Sequence, residues 1–324
     1  MPGVSSSTDF TAIVRMYNAK VYTNYITAAG YAFIVADFLQ TFPEEVRLMW
    51  PAPFGLPKVM FFAVRYYLLI SNVFSALDVF PTNYTIQGCR RAFHASAISC
   101  VLILTGVEVI LFLRVYAFGG RSRNLLGYLM FQFLAIHAAI FSLIFKFLTG
   151  VEFKLSPLLG KTHGHVCTPI RARSFLIGWA FAGILANVAA AMVIMAYLAF
   201  VKHRGMKSRL LTVFYRDGVF YFVCLAALTS VNMFVNFAAP DGYQFLFIQL
   251  EVALQGILST RMLIHLRDTE YHRMAMMDPL STYNIQGNYG GRAPSPLLFE
   301  QAVELDTKNT TSPRCMSSSS FTSK

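Results

Sequence analysis

Two carboxylic acids stand where a soluble chain would not put them. Glu108 lies within TGVEVILF and Glu251 within IQLEVALQ, each near the middle of a long apolar run. An ionised carboxylate is expensive in hydrocarbon, so each acid is either protonated, paired or lining a hydrated cavity. His137 and Asn187, also set in apolar runs, are the groups able to join them in binding a ligand or a proton. The competing reading is a neutral acid hydrogen-bonded inside a bundle and serving only packing. A second set, Asp37, Arg65, Arg114, Asp217 and Arg261, stands closer to the ends of such runs, where it can form an ionic layer tying helices together or acting as a switch.

The elements that must position these groups are the runs themselves. A bilayer core about 30 Å thick is crossed by roughly 20 helical residues, and seven stretches of that order occur, at about 22–42, 59–79, 93–118, 125–148, 175–201, 213–238 and 243–266. A composition of 56% hydrophobic and 13% charged residues with a mean hydropathy of +0.51 excludes an ordinary soluble domain. The expected architecture is all-α, a polytopic membrane protein built as a seven-transmembrane-helix bundle. Residues 1–20 form a polar outer tail, 21–267 the membrane domain, and 268–324 a disordered Ser/Thr-rich cytosolic tail ending in SSSSFTSK. The first apolar run is too long for the core of a cleaved signal. The net charge of +11 follows from Lys and Arg in short loops, so it calls for a lipid bilayer and no nucleic acid.

Three signals orient the bundle with its N-terminus outside and its C-terminus in the cytosol. The inner side then collects the larger share of cations, among them Arg47, Lys58, Arg121, Arg123, Lys202 and Arg209. The sequon at Asn83 falls in an outer loop and is a glycosylation candidate. Cys89 at the outer start of the third helix and Cys167 in the long fourth loop share the oxidising side, where a disulfide would pin that loop to the helix. Free thiols, or a metal held by His163, His165 and Cys167, are the alternatives. Asp37 and Arg65 each stand a few residues above the inner ends of helices one and two, at matching depth, and are expected to pair.

Enzymatic motifs are missing from the sequence. There is no nucleophile elbow and no HExxH, and Gly160-Lys161-Thr162 lacks the leading glycine of a phosphate loop, where Leu155 stands. The expectation is a non-enzyme with no cofactor. Ala182, Ala186 and Ala190 repeat at four-residue spacing, a pattern that lets a second helix approach closely.

Seven spans, the Cys89–Cys167 arrangement and Arg114-Val115-Tyr116 ending helix three, 25 residues after Cys89, resemble G-protein-coupled receptors. Leu113 replaces the acid usual before that arginine, NPxxY is absent, and helix seven has no lysine for a retinal Schiff base. Tyr25, Asp37, Thr41, Glu45, Trp50, Lys58, Arg65 and Tyr66, followed by Arg114 with Tyr116, Arg216-Asp217-Gly218 and Arg261 with Leu266-Arg267, resemble a closer group. These are the basidiomycete seven-helix membrane proteins of the domain-of-unknown-function 6533 family. That resemblance implies a fungal membrane protein and supplies no ligand. The functional expectation is a receptor-like sensor in the plasma membrane. It would bind a small outer ligand among helices three, five, six and seven, with Glu108 and Glu251 near the floor, and engage a cytosolic signalling protein through Lys202 to Arg216. A proton-coupled carrier using the same glutamates, and a scaffold without a site, are the alternatives.

Overall fold

The computed structural model describes residues 5–79, 85–157, 165–171, 173–202, 209–240 and 243–277. They form seven helices and one hairpin: α1 (Ser5–Leu48), α2 (Leu56–Val79), α3 (Ile86–Phe118), α4 (Arg123–Gly150), β1 (Glu152–Pro157), β2 (His165–Arg171), α5 (Ser174–Lys202), α6 (Arg209–Ala238) and α7 (Ile248–Met277). Five of them, α2 to α6, are long and apolar enough to cross a membrane. Such a set is that of a multi-pass membrane protein. The remaining two, α1 and α7, carry more polar residues, including Asp37, Gln249, Glu251, Gln255 and Arg261, which lowers their hydropathy, and Glu251, expected near the middle of its run, falls in the first turn of α7. On α7 most of these face inward: Gln249, Glu251, Gln255, Ser259 and Thr260 are all buried.

Local chemistry sets the helix ends. Pro43 sits inside the last turns of α1, where it removes one backbone hydrogen bond without stopping the helix; Pro51 and Pro53 follow the end at Leu48 and prevent continuation. Pro57 opens α2 in the first turn, where its missing N–H costs nothing. Thr85 caps α3 by accepting from the Gly88 amide at 3.2 Å, and Ser122 caps α4 by accepting from Leu125 at 3.3 Å. Between them the chain reverses through Gly120 and Arg121, both at positive φ (71° and 56°).

The core centres on α3. Half of its spanning stretch is buried, against 17% for α4, because α3 packs on α2, α4, α5, α7 and β1 while α4 turns Phe131, Leu134 and Phe145 outward. Outward aromatic and aliphatic side chains of this kind are what lipid requires.

Several differences from the sequence reading follow from packing. The first helix starts at Ser5, within the expected polar tail, and runs past the expected end near residue 42 through Glu45 to Leu48. The last helix begins at Ile248, after a turn over residues 244–247, and extends past Arg267 to Met277. The expected tail beyond residue 277 lies outside the described residues. The fourth loop contains an antiparallel hairpin, with Leu155 opposite Cys167, so the fold is not purely helical. Ala186 is exposed and Ala182 and Ala190 are half-buried, while α5 buries the side bearing Ile184, Asn187 and Val188.

Candidate functional site

A cavity of about 590 Å³ opens among the middle of α1 and the neighbouring portions of α2, α3, α4, α5 and α7 and reaches Glu108 and His137 in the bundle's interior. Its lining includes Lys20, Asp78, Glu152 and Arg173 near one end of the bundle, then aliphatic residues such as Leu104, Ile140, Ile144, Ile177 and Ile184. Four phenylalanines that line it also meet one another. Phe93 on α3 lies 5.3 Å from Phe153 on β1, 6.1 Å from Phe245 and 6.2 Å from Phe147 on α4, centroid to centroid. The hairpin thereby joins α3, α4 and the turn before α7 into an aromatic collar. The sequence reading puts the pocket among helices three, five, six and seven; among the described residues α6 contributes none of the lining and α4 takes part.

At the inner limit of this space Glu108 is 1% exposed. Asn187 on α5 donates its amide to Glu108 Oε2 at 2.6 Å, and Gln132 on α4 donates to Asn187 Oδ1 at 3.2 Å. His137 places Nε2 3.9 Å from the same Oε2, while its Nδ1 lies 3.0 Å from the Phe133 carbonyl and its ring stacks on Phe133 at 3.9 Å. A carbonyl only accepts, so that contact requires the proton on Nδ1 and leaves Nε2 of the neutral ring as an acceptor. Glu108 Oε1 has no hydrogen-bond partner. Three of the four groups singled out in the sequence, Glu108, His137 and Asn187, thus converge.

The fourth does not join them. Glu251, 1% exposed on α7, accepts from Gln255 Nε2 at 2.7 Å, and the same amide reaches Thr229 on α6 at 2.9 Å. This network ties α6 to α7 and is not part of the cavity lining. Glu251 Oε2 has no hydrogen-bond partner either.

At the opposite end of the bundle a compact ionic cluster closes α1, α2 and α7 together. Asp37 and Arg65 stand 3.8 Å apart, but each has a nearer partner: Arg65 Nε meets Glu45 Oε2 at 2.5 Å, and Arg261 Nε meets Asp37 Oδ1 at 2.5 Å. Glu45 is fully buried and also accepts from Tyr66 at 2.8 Å and from the Trp50 indole at 3.2 Å. Arg65 further donates to Thr41 at 2.7 Å and lies over the Phe38 ring. Lys58, buried, donates to the carbonyls of Trp50 and Ala52 at 2.8 and 2.6 Å and so fastens the α1–α2 connection. The expected end of the first helix at about residue 42 leaves Glu45 in the connection, whereas α1 runs on to Leu48 and carries Glu45 into the cluster. Arg114 is buried on α3. The side chain of Asp217 and the whole of Asn83 and His163 lie outside the described residues, as do the side chains of His165 and Cys167.

Residues 25–70 match a family model described as a family of unknown function, DUF6533. No curated protein matches the chain. The matched segment holds the whole α1–α2 part of the ionic cluster, Asp37, Thr41, Glu45, Trp50, Lys58, Arg65 and Tyr66, and supports the resemblance over that stretch. Glu108, His137 and Asn187 lie outside the matched residues.

Among the cysteines, Cys100 and Cys224 are free, and Cys100 lines the cavity. Cys89 is 2% exposed at the start of α3 and is not a free thiol.

Proposed function

We propose that this membrane protein is a receptor-like sensor that takes a small ligand into the cavity ending at Glu108. The observation that carries the reading is the cavity's geometry: an open, aromatic-collared space descends to a buried acid and histidine, while toward the other end α1, α2 and α7 are tied together by the Asp37–Arg65–Glu45–Arg261 cluster. A mostly apolar, preformed space with a few convergent polar groups is the usual form of a small-molecule site. In this account the cavity faces outside, the N-terminus is outside, and the basic stretch from Lys202 to Arg216 meets a cytosolic signalling partner. Cys89 is bonded to Cys167, which would fix the hairpin above the cavity, and Asn83 is available for glycosylation. The chain is of fungal type, resides in the plasma membrane and performs no catalysis.

Ligand-dependent recruitment of a G-protein α subunit to the purified protein in nanodiscs tests the reading. Recruitment that rises with an outer ligand and is lost in Glu108→Leu supports it; recruitment that no ligand in a broad panel alters speaks against it.

A second reading, a proton-coupled carrier, draws on the unpartnered oxygens of Glu108 and Glu251. It needs proton flux in dye-loaded vesicles that disappears in both Glu→Gln variants. The third, a scaffold, needs both variants to lose stability and nothing else.

A further inference from the structure

Glu108 and His137 give the inner end of the cavity an unusual chemistry, because with Glu108 ionised what they present is acceptors. Glu108 Oε2 is already engaged by Asn187, Oε1 has no donor, and His137 offers Nε2 once its Nδ1 is committed to the Phe133 carbonyl. Buried acceptors without donors are costly, and a ligand that brings several N–H groups relieves that cost. The charges that line the cavity elsewhere, Lys20, Asp78, Glu152 and Arg173, are two of each sign and lie toward the mouth, so they select no charge. Selection falls to the inner end.

The shape is equally informative. Phe93 at the collar and Glu108 are fifteen residues apart on α3, about 22 Å of helix. A space of about 590 Å³ drawn out over such a length is longer than it is wide, and its middle is lined by aliphatic side chains. We propose that the cavity binds an elongated amphipathic amine, its ammonium seated on Glu108 Oε1 and His137 Nε2 and its apolar tail running between α3, α4 and α5 toward the phenylalanine collar. The amine supplies both the donors and the counter-charge that a carboxylate in the bundle lacks, and Asn187 satisfies the second oxygen, the condition under which a buried ion pair is tolerated. An amphiphile with a carboxylate head would set acceptor against acceptor there and is rejected. The proposal rests on the cavity of the sensor reading but needs no signalling partner.

Cys100 provides the probe. It is free, lines the cavity, and lies eight residues from Glu108 toward the mouth, so a molecule reaching Glu108 must pass it. In a Cys224→Ser, Cys315→Ser background in nanodiscs, the rate of Cys100 alkylation by N-ethylmaleimide is measured with decylamine, decanol or decanoate. Decylamine is expected to slow alkylation strongly and decanoate hardly at all. Glu108→Leu should weaken decylamine protection about tenfold or more, the loss of a charge-assisted hydrogen bond. Glu108→Gln, closer in shape, is the second variant and should weaken it as well. Equal protection by decanoate, protection unchanged in both variants, no protection by decylamine, or a Cys100 that never reacts would each overturn the assignment. Intact decylamine protection without any G-protein recruitment would sink the sensor reading and leave the amine site standing. Recruitment driven by other ligands with no decylamine protection would do the reverse.

Discussion

Asn187 on α5 donates its side-chain amide to Glu108 on α3 across 2.6 Å, and the two residues are 0% and 1% exposed. This bond fixes one carboxylate oxygen and leaves the other at the inner end of the cavity without a partner. It also links the core helix to α5 and, through Gln132, to α4.

Removing Asn187 should therefore be felt twice. Asn187→Leu strands Glu108 Oε2 and the Gln132 amide together, an expected loss of about 1–3 kcal/mol. Thermal unfolding in detergent should show a lower midpoint, and Glu108→Gln added to Asn187→Leu should cost less than the two single losses combined. Strictly additive losses would show that the two side chains do not interact.

The ionic corner invites the same treatment with a larger expected effect. Arg65→Met leaves Glu45 and Asp37 buried with their charges uncompensated by Arg65, a change of about 3–5 kcal/mol when one partner of a buried pair is removed. Arg65→Met with Glu45→Met should be much less harmful than Arg65→Met alone. The double-mutant cycle, read by denaturant unfolding, gives the coupling directly. Trp50→Phe, which removes only the 3.2 Å bond to Glu45 at a half-exposed site, should cost about 1 kcal/mol or less.

How much of this was legible in the sequence depends on the range of the interaction. Glu108, Asn187 and His137 could each be singled out because a polar group in an apolar run is conspicuous by itself. Their meeting could not be read, since it depends on α3, α4 and α5 lying side by side. Glu251 was equally conspicuous and went elsewhere, to Gln255 one turn along its own helix, whose amide also reaches Thr229 on α6. Asp37 and Arg65 were brought to matching depth by counting residues from a short loop, a local argument. The stronger partners, Glu45 and Arg261, escaped it. One lies past residue 42, where the apolar run ends but the helix continues to Leu48, and the other lies 224 residues away from Asp37. The hairpin escaped because a short strand pair gives no helical period to notice, although its Phe153 closes the collar.

Close helix contact supplies a prediction about backbone spacing. A Cβ at Gly106 would stand 2.8 Å from Val64 Cγ2, and one at Gly256 would stand 2.9 Å from Leu68 Cδ2. Valine is stiff at χ1 while a leucine methyl swings away more readily. Gly106→Ala should thus be destabilising by about 1–3 kcal/mol before the helix-propensity gain of alanine, and Gly256→Ala by clearly less. The ranking of their unfolding midpoints checks this.

The proposed bond between Cys89 and Cys167 predicts a mobility shift on non-reducing gels after Cys89→Ser and a stability loss of about 2–4 kcal/mol. Cys167→Ser should reproduce both effects, and the double variant should add nothing. An unchanged gel and midpoint would remove the bond from the account.

The central claim is that Glu108 belongs to a ligand site, and a paired thermal screen tests it most directly. Wild-type protein and Glu108→Gln, both in nanodiscs, are heated against the same library of small amphipathic amines, alcohols and acids. The account predicts that amine-bearing members raise the wild-type midpoint and leave Glu108→Gln nearly unmoved. Equal shifts in the two proteins, or no wild-type shift with any member, would contradict it.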